Sequence, residues 1–234
     1  DYLYIETDEN AHPPTIRANS IKRIFTSLKS KENMINQLKN NKSLKTDWLL
    51  PGATIMEAGF GAGGLPPFGR IALWGEDNFT KVTNSIVSSW EDISGHDVEE
   101  SDNSKPAVFI TGSLTGGTAT GMFIDLAYLV KNTIPDISEV YGLFLIPKRD
   151  TFSGNETIYC NTLSAINALE YYNSPKNSYD MMWPNGHHAK FTEPPFELAQ
   201  FISQAYDGDL PPMKSLNGLY KMGGLYLFLN VFGL

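Results

Sequence analysis

Cysteine is nearly missing from this chain: Cys160 is the only one in 234 residues. That excludes an internal disulfide framework and a metal site built from several thiolates. Cys160 itself reads as a small apolar residue. Histidine is scarce too, with 4 copies. The adjacent pair His187-His188 has no third ligand at metal-binding spacing, so it reads as surface. No apolar run reaches the ~20 residues that a membrane-crossing helix needs. The nearest, GGLYLFLNVFGL (223–234), reads as a core strand or helix. The opening DYLYIETDEN has no basic start and no long apolar region, so it does not read as a signal peptide. It begins without Met, directly in a strand-like pattern, as a piece of a longer chain would. Basic charge is also short: Lys+Arg 18 against Asp+Glu 26 gives a net charge of −8. Without a concentrated basic stripe, nucleic acid is not expected as the main partner.

What is present is enough apolar material for a core. Hydrophobic residues make up 41% and charged residues 19%, so order is the default, in one sizeable domain or two small ones. YLYIET (2–7) reads as a strand ending in the turn-like DEN. The stretch 15–41 carries apolar residues at helical spacing with lysines between them, which predicts a helix with a solvated basic face. ATIMEAG (53–59) reads as a short strand. GFGAGGLPPFGR (59–70) is a Gly/Pro loop, too rich in both for a regular element. Residues 71–93 return to a helical pattern, and HDVEESDNSK (96–105) reads as an acidic loop.

PAVFIT (106–111) and EVYGLFLIP (139–147) are compact apolar runs typical of buried strands. Between them GMFIDLAYLVKNT (121–133) predicts a helix ended by Pro135. Residues 157–173 predict another helix, and SYDMMWP (178–184) a short strand. PPFELAQFISQAY (194–206) opens with prolines suited to a helix's first turn. Strands alternating with helices give an α/β fold with a mainly parallel sheet flanked by helices. The strands at 2–7, 106–111 and 139–146 are expected in one sheet.

The stretch GSLTGGTATGMF (112–123) sits between a strand and a helix. A Gly/Thr-rich loop there leaves backbone N–H groups free to face an anion, with the positive end of the helix dipole behind them. Residues 115–121 therefore read as a phosphate cradle. They follow neither the Walker pattern nor the Rossmann fingerprint. A tight turn alone would also explain the glycines. The second glycine loop, at 59–70, adds weight, because two loops placed before helices could meet a polyphosphate from two sides. Ser113 and Cys160 have no base near in sequence, so nucleophilic catalysis finds no support.

In these motifs the chain resembles the tubulin/FtsZ superfamily, and bacterial tubulin-like proteins within it. SLTGGTATGM (113–122) is similar to the tubulin loop Ser-Leu-Gly-Gly-Gly-Thr-Gly-Ser-Gly-Met. GAGGLPPFGR (61–70) matches each fixed position of the FtsZ loop Gly-Ala-Gly-Gly-x-Pro-x-x-Gly-Arg. ETD (6–8) looks like the Asn-Thr-Asp that ends the second FtsZ strand. YCNTLSAINALE (159–170) is similar to a tubulin helix, and MMWPN (181–185) to a strand ending Pro-Asn. FELAQ (196–200) looks like the start of the family's central helix. The resemblance spans about 2–206, taken as a nucleotide-binding domain. Residues 207–234 stay an unassigned tail, possible start of a second region.

The resemblance implies a GTP-binding protein that hydrolyses GTP on self-assembly into filaments, with GTP/GDP and Mg²⁺ as ligands and a cytoplasmic setting. The alternative is a nucleotide-binding scaffold or switch without turnover. The implied nucleotide contacts are Thr7, Asp8, Gly61, Ala62, Gly63, Gly64, Ser113, Thr115, Gly116, Gly117, Thr118, Ala119, Thr120 and Gly121. For the base they are Asn185, Phe196 and Gln200, the last two on one face of a helix. Three features depart from the family pattern. The resemblance implies a first strand and a first glycine loop ahead of residue 1, and neither is in this sequence. Thr115 and Ala119 stand where glycine is usual, and Ala119 takes positive φ only at a cost. Asp207 and Asp209 come too early to be the family's catalytic acid, so no catalytic residue is assigned.

Overall fold

The computed structural model describes residues 2–8, 21–26, 31–40, 48–49, 61–94, 107–134, 139–148, 156–204 and 215–232. The strand expected at 53–59, the loop at 96–105, Pro135 and the acids Asp207 and Asp209 lie outside them. No helix among the described residues is long and apolar enough to cross a membrane.

The architecture is mixed α/β. A three-stranded parallel sheet is built from β3 (Ala107–Ser113), β4 (Glu139–Ile146) and β7 (Leu198–Ser203), in the order β3-β4-β7. The helix α4 (Gly117–Thr133) connects β3 to β4, the crossover that a parallel pair needs. Phe144 of β4 meets Phe123 of α4 edge-on, with ring centroids 5.1 Å apart. The next residue, Leu145, meets Gly223 of α6 (Leu216–Phe232). Successive strand side chains point to opposite faces, so α4 and α6 cover the two sides of the sheet. In turn α4 packs against α2 (Pro66–Trp74), α3 (Glu76–Ser94) and α5 (Thr157–Asn173).

Two smaller pairs complete the fold. β1 (Tyr2–Glu6) runs parallel to β2 (Ile21–Phe25), with Ile5 opposite Ile24. β5 (Tyr179–Met182) and β6 (His188–Phe191) form an antiparallel hairpin. Its turn holds Gly186 at φ 81°, in the left-handed region.

Four sequence expectations change here. The helix expected over 15–41 is replaced by β2 and a shorter helix, α1 (Lys31–Asn40). The apolar spacing of IKRIF fits a strand as well as a helix, and backbone pairing with β1 decides between them. The Gly/Pro stretch 59–70 is not all loop: α2 begins at Pro66, because proline suits a helix's first position. The helix expected over 194–206 is instead β7, drawn into the sheet by full pairing with β4. Finally, β1 pairs with β2 rather than joining β3 and β4 in one sheet. The helical pattern at 71–93 holds as two helices parted at Gly75.

Candidate functional site

The end of β3 and the start of α4 form one wall. Ser113 and Thr115 share a hydroxyl–hydroxyl bond of 2.7 Å. Gly116 is the N-cap of α4, and no side chain caps the helix. A helix leaves its first N–H groups without intrahelical partners, so the N–H groups of the first turn, from Gly117 to Ala119, face outward from the helix end. Thr120 in the same turn has a buried hydroxyl without a hydrogen-bond partner among the described residues. Ala119 is helical, so the cost of positive φ does not arise there; its methyl group packs against Gly112.

The second wall is the turn 61–64. Gly61, Gly63 and Gly64 all have positive φ, at 61°, 59° and 72°. Added side-chain carbons at Gly63, Gly64 or Gly116 would meet nothing within 4 Å. These three glycines mark the open side. Gly117 does not: a carbon added there would come 2.6 Å from the Leu65 nitrogen and 2.8 Å from the Ala62 methyl. Gly121 likewise faces α2, with the Pro66 carbonyl oxygen at 2.1 Å from such a carbon. These loop glycines thus divide into three that face space and two that let the walls touch.

The two walls are tied together by β1's end. The Thr7 hydroxyl accepts the Ala62 N–H at 3.1 Å and bonds the Thr118 hydroxyl at 2.6 Å. Glu6 fixes the turn by accepting the N–H groups of Thr7 and Asp8 at 2.7 and 3.1 Å. Asp8 lies beside Gly61. Thr7, Asp8, residues 61–64 and residues 113–121 therefore converge, as two loops on one polyphosphate require.

The base-contact candidates are not brought there in the expected way. Phe196 is 4% exposed and packs on Phe144 and Phe123, centroids 5.5 and 6.3 Å away, so it is a core residue. Gln200 lies on β7 opposite Leu143, not one helical turn from Phe196. Asn185 is exposed in the hairpin turn, where its side-chain oxygen accepts the His187 N–H at 3.0 Å. The histidine pair is exposed as well, with His188 bonded to Asp180 at 2.9 Å.

Sequence reasoning missed a buried polar network beneath the site. Arg70 of α2 donates two bonds to Asp125 of α4, at 2.7 and 2.8 Å. Asp125 also accepts Trp74 Nε1–H at 2.7 Å and the Tyr179 hydroxyl at 2.8 Å. Trp183 Nε1–H donates to Tyr179 at 2.9 Å. The Arg70 guanidinium lies over the rings of Trp48 and Trp74, 4.7 and 4.9 Å from their centroids. The signal was available: Asp125 is a lone acid in the apolar run FIDLAYLV, and a buried charge needs a partner.

Burial, and then the Asp125 charge, push the Tyr179 hydroxyl well above its usual 10. Below about pH 10 that hydroxyl is neutral in both folded and unfolded chains and contributes no pH dependence. Above it the unfolded chain ionises first, so stability falls as pH rises toward the folded value. Urea midpoints should therefore drop between about pH 9 and pH 11, and Tyr179→Phe should drop less steeply. Equal slopes would contradict the role given to Tyr179.

A comparison with curated proteins returns no match. A family model described as tubulin like matches residues 1–232. With two glycine turns meeting at the start of α4 and a parallel sheet flanked by helices, the chain belongs to the tubulin-like family.

Proposed function

We propose that the chain binds GTP through its phosphates and hydrolyses it when copies assemble. The observation that carries this reading is the uncapped start of α4, facing the open glycines of both turns. The free N–H groups of the first turn and the helix dipole favour an anion there. In the Thr7–Thr118 pair one hydroxyl proton makes the mutual bond, and the other stays available to a phosphate oxygen. Mg²⁺ fits as a companion of the phosphates, which usually supply several of its ligands. Among the described residues no cluster of three acids, histidines or cysteines offers a site of its own, and Asp8 stands at the rim. When bound, the ion neutralises charge that develops on the phosphates.

The preference for guanine, and a cytoplasmic setting, come to this reading from the family, and no base contact is assigned. Asn185, Phe196 and Gln200 are not part of the proposed site. Self-association is supported by large apolar side chains left exposed: Leu163 on α5, Leu198 and Phe201 on β7, and Leu225 and Phe228 on α6. Phosphate release per molecule should then rise with protein concentration. A flat, measurable rate would oppose coupling to assembly. Tight GTP binding with no release would favour the scaffold reading.

Gly116→Asp tests the cradle itself. The N-cap backbone has φ −88° and ψ 168°, open to any residue, and nothing lies within 4 Å. Aspartate is a preferred N-cap, so stability should rise by a few tenths of a kcal/mol over glycine. The same carboxylate occupies the anion position, so GTP affinity should fall by at least about tenfold, ~1.4 kcal/mol. Calorimetric titration checks this. Unchanged affinity in a folded variant rules out the phosphate reading.

A further inference from the structure

Asn161, in the first turns of α5, is buried, and its side-chain nitrogen donates two bonds. One goes to the Gly64 carbonyl at 2.6 Å, the other to the Thr115 carbonyl at 2.9 Å. These carbonyls belong to different loops, and each adjoins an open glycine. A single amide thus bridges both walls of the proposed cradle from the α5 side. A trans peptide is planar, with its carbonyl and the following N–H pointing opposite ways. Holding the Thr115 carbonyl toward α5 therefore turns the Gly116 N–H away from α5. It also fixes how far apart the two loops stand.

We infer that Asn161 is a positioning residue for phosphate binding, setting the spacing of the two loops and the direction of the Gly116 N–H. The inference rests on the nucleotide reading above. The residue type matters. Only a group with two donors on one atom can serve two carbonyls at once, and an amide nitrogen has them. An aspartate of the same shape would place acceptors against acceptors.

The neighbouring residue supplies an internal control. The Thr162 hydroxyl donates to the Leu114 carbonyl at 3.2 Å, just past the end of β3 and not at an open glycine. Thr162→Val should cost stability and change GTP affinity by no more than about twofold. Asn161→Ala should weaken GTP by about tenfold in protein shown to be folded, and Asn161→Asp by more. For Asn161→Asp the deficit relative to the unmodified protein should shrink as pH falls from about 8 to 5. Burial against two carbonyl oxygens raises that carboxyl above the usual carboxylate range, so it protonates as pH falls and regains one donated bond. Calorimetric titration with GTP, beside thermal unfolding, reads all of these.

If the unmodified protein binds GTP and both Asn161 variants match it at every pH, the positioning role is overturned. Lowered melting temperatures with unchanged affinity would overturn it in the same way, because Asn161 would then be structural only. If the unmodified protein takes up no GTP, the nucleotide reading itself falls and this inference falls with it. Should Asn161→Ala not fold, Asn161→Asp and its pH series decide alone.

Discussion

Replacing Gly121 by alanine is expected to cost more stability than most single methyl additions, and to prevent folding if the domain is marginal. The new carbon would lie 2.1 Å from the Pro66 carbonyl oxygen, 2.7 Å from the Arg70 nitrogen and 3.0 Å from Gly69 Cα. All three are backbone atoms, so no side-chain rotation relieves the contact. The helices α2 and α4 must part. Gly69 shows the same closeness from the other side, with the Gly117 carbonyl oxygen at 2.1 Å from an added carbon. Overpacking a core usually costs ~1–3 kcal/mol, and a backbone-on-backbone clash belongs at or above that range. Gly224→Ala is the matched control: it is a helical glycine of α6 with nothing within 4 Å. There alanine should stabilise by ~0.5–1 kcal/mol. Chemical denaturation of the two variants compares them directly. A Gly121→Ala protein as stable as the original would mean that α2 and α4 are not packed this closely.

The same glycines explain how far the sequence could be read. Both loops were legible as glycine clusters before helices, and their order matched a family. Which glycine does what was not legible, because glycine marks two needs with one letter. Gly116 is open to a ligand, whereas Gly117 and Gly121 are small so that another backbone can approach. Thr7 was identified through ETD, yet its bond to Thr118 spans 111 positions and has no local trace.

The helices read at 121–133 and 157–173 and the strands read at 106–111 and 139–147 were legible because their apolar pattern is long or compact, although the first helix begins earlier, at Gly117 inside the stretch read as loop, and the first strand runs on to Ser113. The segments 21–25 and 198–203 were not. Each is only a few residues long, and its pattern suits either element. What settles them is backbone pairing with a strand far along the chain: β2 with β1, and β7 with β4. That pairing also moved Phe196 from an expected base contact to the core, since the residue entering β7 packs against α4 and β4. Asn161 went unnoticed as a site residue because both its partners are carbonyls, which sequence similarity does not register.

Asp125→Asn should destabilise by ~3–5 kcal/mol, the usual result of breaking a buried ion pair from one side. Asp125 is 3% exposed and accepts four hydrogen bonds, two from Arg70 and one each from Trp74 and Tyr179. An amide keeps one good acceptor and turns a donor toward groups that already donate. Arg70, with its side chain only 16% exposed, is left as a charge without its counterion. The double variant Arg70→Met, Asp125→Leu removes both charges, and apolar replacements of such pairs are often close to neutral. Here recovery should be incomplete. Trp74 and Tyr179 would keep buried donors without the carboxylate, and an unsatisfied donor costs ~1–3 kcal/mol. Adding Tyr179→Phe should return part of that remainder. Because the pair clamps α2 to α4, the loss is in stability, and folded Asp125→Asn should still take up GTP. Urea denaturation of the single, double and triple variants gives the series. A single variant as stable as the original, or a double variant worse than the single, would remove the ion pair from its place as the clamp beneath the two loops.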